Sequence, residues 1–128
     1  MANKWDDKNV TISDLQKLVM DFVHKRDWEQ FHSPKNLSMA IGSEVGELMA
    51  HFRWMNSKDE ENSAKECKNN IEIAHEAADI MMLLLEFTKL TGIDIAQAVK
   101  RKLEINEIRY PVEEFKGKNH KYTKKIVQ

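Results

Sequence analysis

The 128-residue chain has a single cysteine, Cys67, with two prolines and four glycines. One cysteine cannot close an internal disulfide, and no second thiol is present to complete a zinc pair, so Cys67 reads as an incidental thiol. No apolar run approaches the ~18 residues that a membrane-spanning helix needs. The first seven residues lack the apolar stretch of a secretion signal. A cytoplasmic protein with no membrane attachment is the expectation. An excess of charge of one sign is also missing: 20 Lys and Arg stand against 21 Asp and Glu, a net charge of −1, which argues against binding of a nucleic acid polymer. A hydrophobic fraction of 41% and a charged fraction of 32% describe a soluble helical protein, and the length suits one domain.

Strand-like alternation, internal repeats and low-complexity segments are absent too, while helical periodicity is plain. Ser13 with Gln16 has the spacing of a capping box, and Leu15, Leu18, Val19, Phe22 and Val23 follow at helical period, so a first helix is expected to about Lys25. Ser33 and Pro34 read as the N-cap and first residue of a second helix, whose apolar stripe of Leu37, Ile41, Val45, Leu48 and Phe52 extends it toward Met55. Gly42 and Gly46 inside it each lower helix propensity by about 1 kcal/mol, which suggests close approach of another backbone or a ligand. Residues 56–70 are polar and read as a loop or a short exposed helix. A third helix over 71–90 is apolar on every side at residues 80–85, which implies burial all round and, in so small a domain, a subunit interface. Gly92 fits a C-cap, and Asp94 with Gln97 opens a fourth helix that Pro111 halts near Arg109. The fold class expected is all-α, a four-helix bundle, with an N-terminal segment at 1–11, the helical body at 12–111 and a basic tail at 112–128.

Two carboxylate pairs carry the chemistry: Glu44 with Glu47, and Glu76 with Asp79. At about 100° per residue, an i, i+3 pair lies roughly 60° apart on one helix face, so two antiparallel helices could bring four acids together. Glu44 sits at the edge of the apolar stripe, between Ile41 and Leu48, and Glu47, His51 and Trp54 continue that side. Glu76 and Asp79 fall on the stripe of Ile80, Leu83, Phe87 and Leu90, with Glu72 one turn earlier. Burying unpaired carboxylates costs several kcal/mol each. A bound cation resolves the conflict, and an all-oxygen set favours Mg²⁺, with Mn²⁺ as the second choice. Acidic helix faces are also common on solvated surfaces, so neither pair alone establishes a site. Residues 41–80 hold nine acids against four Lys and Arg, whereas Lys116, Lys118, Lys121, Lys124 and Lys125 make the tail basic. Together an acidic centre and a basic end suit a ligand that carries phosphates.

Set in order with the residues Arg26 to Asn36 and with Lys102, Asn106, Arg109, Tyr110, Pro111, Lys121 and Tyr122, the acid pairs resemble the MazG-like, all-α nucleoside triphosphate pyrophosphohydrolases, dCTP pyrophosphatase branch. The resemblance covers about residues 12 to 123. It implies cleavage of a nucleoside triphosphate, dCTP or a modified dCTP foremost, to the monophosphate and pyrophosphate. Glu44, Glu47, Glu76 and Asp79 match the family's Mg²⁺ ligands. Glu47 or Glu44 would orient or deprotonate the attacking water, and Lys102, Asn106, Arg109, Tyr110, Lys121 and Tyr122 match the phosphate-binding end. Trp28, His32, Asn36 and Trp54 are the candidates for the base site, since an aromatic face stacks a base while a polar group reads its edge. Three have a plainer reading, Trp28 as a lid on the core, His32 as a loop residue and Asn36 as a helix-start residue, while Trp54 is favoured because it shares a helix side with Glu47. The family often carries a doubled glutamate where this chain has His75 before Glu76. The resemblance further implies a homodimer or homotetramer in which the basic end of one subunit reaches another's metal centre.

Two other readings compete. A single Glu72-x-x-His75 has the spacing of di-iron carboxylate bundles, although those sites need the motif on two helices. A non-catalytic dimerisation or partner-binding bundle would use Met81, Met82 and Leu85 as its interface.

Overall fold

The five long helices of the computed structural model, which describes residues 4–123, each begin at a side chain that satisfies free N–H groups of the first turn. Thr11 caps α1 (Ile12–His24), where its hydroxyl accepts from Asp14 N–H and the Asp14 carboxylate accepts from Thr11 N–H. The box expected at Ser13 and Gln16 is therefore formed two residues earlier, and Gln16 is left to reach another helix. Ser33 caps α2 (Pro34–Ala50) with Pro34 in its first turn. Asn56 and Asp59 form a capping box at the start of α3 (Ser57–Asn69). Asn70 ends α3 and caps α4 (Ile71–Thr91), accepting from Glu72 and Ile73 N–H. Asp94 caps α5 (Ile95–Arg109), and a single turn, α6 (Val112–Phe115), follows Pro111. No strand occurs among the described residues. The fold class is all-α. Of the basic tail, Lys124 and Lys125 lie outside the described residues.

Two of the helix expectations need correction. α2 stops at Ala50 rather than near Met55: the N–H groups of His51 and Phe52 bond to carbonyls three residues back, and a turn runs through Trp54. The polar segment after it is a full helix, α3, made by its caps and not by an apolar face; none of its described side chains is buried.

The chain divides into two compact units, Met1–Gly92 and Ile93–Gln128. In the first, α4 is the central element and packs against α2, α1 and α3. Val19 and Val23 of α1 meet Leu85 of α4, with Leu15 alongside, and Leu37 of α2 is fully buried. Gln16 Nε2 donates to Thr88 Oγ1 at 3.1 Å and joins α1 to α4. Gly92 closes α4 in the left-handed region, φ 71°, where glycine carries no Cβ penalty. Burial all round was expected at residues 80–85. Leu85 is buried, whereas Met81 and Met82 remain about two-fifths exposed in the chain. A Cβ added at Gly42 or Gly46 would meet nothing within 4 Å, so no other segment of the chain makes the close approach those glycines allow.

The second unit holds α5, α6 and residues to Thr123. Its aromatic side chains form a local cluster: Tyr110 lies edge-on to Phe115 and Tyr122 at 5.0 and 5.4 Å between ring centroids, and Phe115 stacks on His120.

Candidate metal centre and adjoining pocket

Glu44 of α2 sits beside α4 because the α2 face that buries Leu37 and half-buries Ile41 and Leu48 also carries this residue at its edge. Glu47, one turn on, and Glu76 from α4 complete a group whose carboxylate oxygens lie within 4.8 Å of one another. Glu44 and Glu76 are half-buried and Glu47 is exposed. Loss of surrounding water, followed by the charges of Glu47, Asp79 and Glu76, raises the Glu44 pKa above that of an ordinary glutamate. No lysine or arginine makes an ion pair with the group among the described residues. Among the described residues the basic side chain next to the group is His51, whose Nε2 stands 3.8 Å from Glu76 Oε1. Three oxygen donors this close, short of positive charge, form a donor set suited to a hard divalent cation. Asp79 lies outside that 4.8 Å group, though it is near enough to repel Glu44. Glu72 and His75, the di-iron spacing, are exposed and join no such group among the described residues.

Glu44 and Asp79 also form the edge of a cavity of about 140 Å³, whose walls are Val19, Phe22, Val23, Trp28, Met82 and Leu83, with His32 and Glu86. The chain turn after α1 places the aromatic wall. Asp27 adopts the left-handed conformation at φ 53°, which aspartate tolerates better than most residues, and Gln30 Nε2 donates to its carbonyl and carboxylate oxygens. Trp28 N–H then donates back to the Val23 carbonyl at 3.2 Å. Its indole ends edge-on to Phe22 at 5.7 Å and tilted against His32 at 6.2 Å. From the short 3₁₀ turn Glu29–Phe31, His32 reaches α4, where its Nδ1 lies 2.5 Å from Glu86 Oε1.

Of the base-site candidates, Trp28 and His32 line this cavity. Trp54 is 86% exposed and does not line it; Arg53 lies over its ring at 5.7 Å. Asn36 turns its side-chain amide onto the Phe31 carbonyl at 2.9 Å and so steadies the segment before α2. The candidates for phosphate binding all belong to the second unit. Within it Arg109 lies over the Tyr122 ring at 4.9 Å, Tyr110 and Tyr122 are half-buried, and Lys102 and Lys121 are exposed. Asn106 gives its carbonyl to Tyr110 N–H at 2.8 Å. Phe22, Met82 and Glu86 were not singled out from the sequence. Glu86 had one signal: a lone charge at 86 that follows Asp79 at i+7 within an otherwise apolar run.

The MazG-like family model matches residues 39–124. Over 113 residues the chain is 36% identical to dCTP pyrophosphatase 1 of Mus musculus and 33% identical to that of Homo sapiens, covering 88% of this chain in each case. It spans 66% of the length of those two proteins. The crystal structure of a pyrophosphatase from Archaeoglobus fulgidus superposes with a TM-score of 0.73 at 36% identity, covering 84% of this chain and 99% of that one. No helix among the described residues is long and apolar enough to cross a membrane. Carboxylate pairs on two packed helices and a match over two-thirds of the chain agree: the chain belongs to the MazG-like family.

Proposed function

We propose that the chain is a divalent-cation-dependent nucleoside triphosphate pyrophosphohydrolase that converts a deoxynucleoside triphosphate, dCTP or a modified dCTP foremost, to the monophosphate and pyrophosphate. The observation that carries this reading is the crowding of Glu44, Glu47 and Glu76, of which Glu44 also lines the adjoining pocket. The curated relatives support it, being named dCTP pyrophosphatase 1.

Glu44, Glu47, Glu76 and Asp79 would hold the cation, Mg²⁺ before Mn²⁺. Such an ion neutralises phosphate charge and lowers the pKa of nearby water. The side chains supply the rest. Glu47, the exposed member, would orient a water and accept its proton as the water oxygen attacks the α-phosphorus; Glu44, half-buried and with a raised pKa, is the second candidate. The bond from the α-phosphorus to the bridging oxygen breaks and pyrophosphate leaves. Lys102, Asn106, Arg109, Tyr110, Lys121 and Tyr122 would hold phosphate oxygens by charge-assisted hydrogen bonds, and Trp28 would stack the base. We assign these phosphate ligands to the basic end of a partner copy, with residues 12–111 as the helical body and 112–128 as a tail.

That assignment calls for a homodimer or homotetramer, and the first unit has a face for one. On α2, Met39, Gly42, Gly46 and Met49 follow at spacings of three and four residues, opposite the buried stripe, with both methionines about two-thirds exposed. Exposed Met81 and Met82 of α4 add apolar area. Light scattering should show no monomer at micromolar concentration. A cytoplasmic setting, where nucleotide pools are found, fits this chemistry.

The test is a panel of deoxynucleoside and ribonucleoside triphosphates, assayed for pyrophosphate release with Mg²⁺. dCTP or a 5-substituted analogue should rank among the best substrates. Absence of cleavage, with no thermal stabilisation by Mg²⁺ or nucleotide, would overturn the proposal and leave a helical scaffold.

A further inference from the structure

The most deeply placed carboxylate of the first unit is Glu86, 4% exposed and outside the acidic group. Its Oε1 accepts from His32 Nδ1. Glu86 makes no other side-chain hydrogen bond among the described residues, and no buried side-chain oxygen or nitrogen there lacks a partner. Oε2 is therefore not sealed from solvent, and Glu86 is one of the residues that line the cavity. Apart from His32 and the two other acids Glu44 and Asp79, the cavity is lined by the apolar side chains of Val19, Phe22, Val23, Met82 and Leu83 and by Trp28. A carboxylate in such a place is costly to desolvate, and packing alone would be served by a leucine. Along α4 it follows Asp79 by seven residues, about 10 Å at 1.5 Å per residue, so the two acids that α4 lends to the cavity are set well apart along the helix.

We propose that Glu86 reads the base: Oε2 accepts a hydrogen bond from the exocyclic amino group of a ring seated against Trp28, while His32 is a positioning residue that holds Oε1. This rests on the pyrophosphohydrolase reading and deepens it by naming the class of base, one with an amino group where uracil, thymine or hypoxanthine has a carbonyl. An ionised carboxylate only accepts. A carbonyl in the same place would set two acceptors against each other with no proton between them, whereas an amino group satisfies both sides. Cytosine and adenine both offer that group. The cavity favours the smaller, since about 140 Å³ is close to the ~150 Å³ of a cavity that holds a single benzene ring.

The experiment measures kcat/KM with Mg²⁺ for two pairs that differ at this group, dCTP with dUTP and dATP with dITP, on wild type and Glu86→Gln. Wild type should favour dCTP over dUTP by about 100-fold or more, because a site built around one hydrogen bond rejects the analogue that cannot make it. Glu86→Gln can offer an N–H to a carbonyl, and should cut that ratio at least tenfold, chiefly through a rise with dUTP. A dATP preference over dITP, with dCTP poor, would identify adenine as the amino-bearing base. His32→Gln releases Oε1 and should lower the ratio by less, which provides a second variant if the first fails to fold. A wild-type ratio near one overturns the proposal, as does a variant that slows both substrates equally. Calorimetry of dCMP against dUMP on the wild type needs no turnover. Discrimination there without cleavage of any triphosphate would sink the reaction and keep the base reader; equal binding would sink the base reader.

Discussion

The pocket and the acidic group beside it solve the same electrostatic problem in opposite ways. Beside the pocket, Glu44, Glu47 and Glu76 crowd together with no Lys or Arg partner among the described residues, and loss of water, followed by the repulsion of the neighbouring acids, raises the pKa of Glu44. Ten residues along α4 from Glu76, Glu86 is more deeply buried, yet it has an internal partner in His32. In the acidic group the carboxylates are left for a ligand to bridge, whereas Glu86 has one oxygen already held by a side chain of the fold, His32. Removing an acid from the group should therefore harm function more than stability, whereas removing the partner of Glu86 should harm stability.

The largest effect that would sharpen this contrast is expected for Glu76→Gln: turnover should fall at least ~100-fold, the stabilisation by Mg²⁺ should vanish, and the melting temperature without metal should hold or rise, since a repulsive charge has gone. A variant with wild-type rates would remove Glu76 from the site. His32→Ala should act through stability instead, costing roughly 2 kcal/mol in urea unfolding because it strands Glu86 in an apolar wall; the double variant with Glu86→Leu should recover much of that loss. An unchanged midpoint for His32→Ala would break the contrast. The third effect is one of pH. A glutamate whose folded pKa is raised favours the folded state when protonated, a contribution fully present below its unfolded pKa and lost as pH rises through the folded one. Without metal, Glu44 should therefore lower stability as pH climbs through that window, while the melting-temperature increase produced by Mg²⁺ should grow over the same range, as measured by scans from pH 4.5 to 7.5. The smallest effect serves as a control away from both regions: Ser33→Ala, which deletes the α2 cap, should cost about 1 kcal/mol with substrate ratios unchanged.

Local signals accounted for the parts of the fold and the site that were legible in sequence. Ser33 with Pro34, Asp94 with Gln97 and Gly92 marked helix ends because capping is settled by residues three or four apart. The acids at 44, 47, 76 and 79 stood out because i, i+3 spacing sets a shared face before any tertiary contact forms. Thr11 was passed over because Ser13 has the same chemistry two residues later, and the choice depended on Asp14 being the better partner. The periodicity of Phe52 and Trp54 implied a longer α2, yet the backbone had already tightened at His51. Helix α3 lacked the apolar period by which helices are recognised, and it rests on Asn56, Asp59 and Asn70. Glu86 was hidden for a different reason: its partner lies 54 positions earlier, a distance over which spacing rules carry no information.

One rod, α4, bears both Asp79 and Glu86, seven residues apart. Backbone bonds inside that rod set the interval between them, and no rotamer change can stretch it by much. On the proposed assignment of these two acids, the helix would serve as a gauge for molecular length. A ligand too short to reach from one to the other would give up one grip, so that size would be sorted before any loop moves.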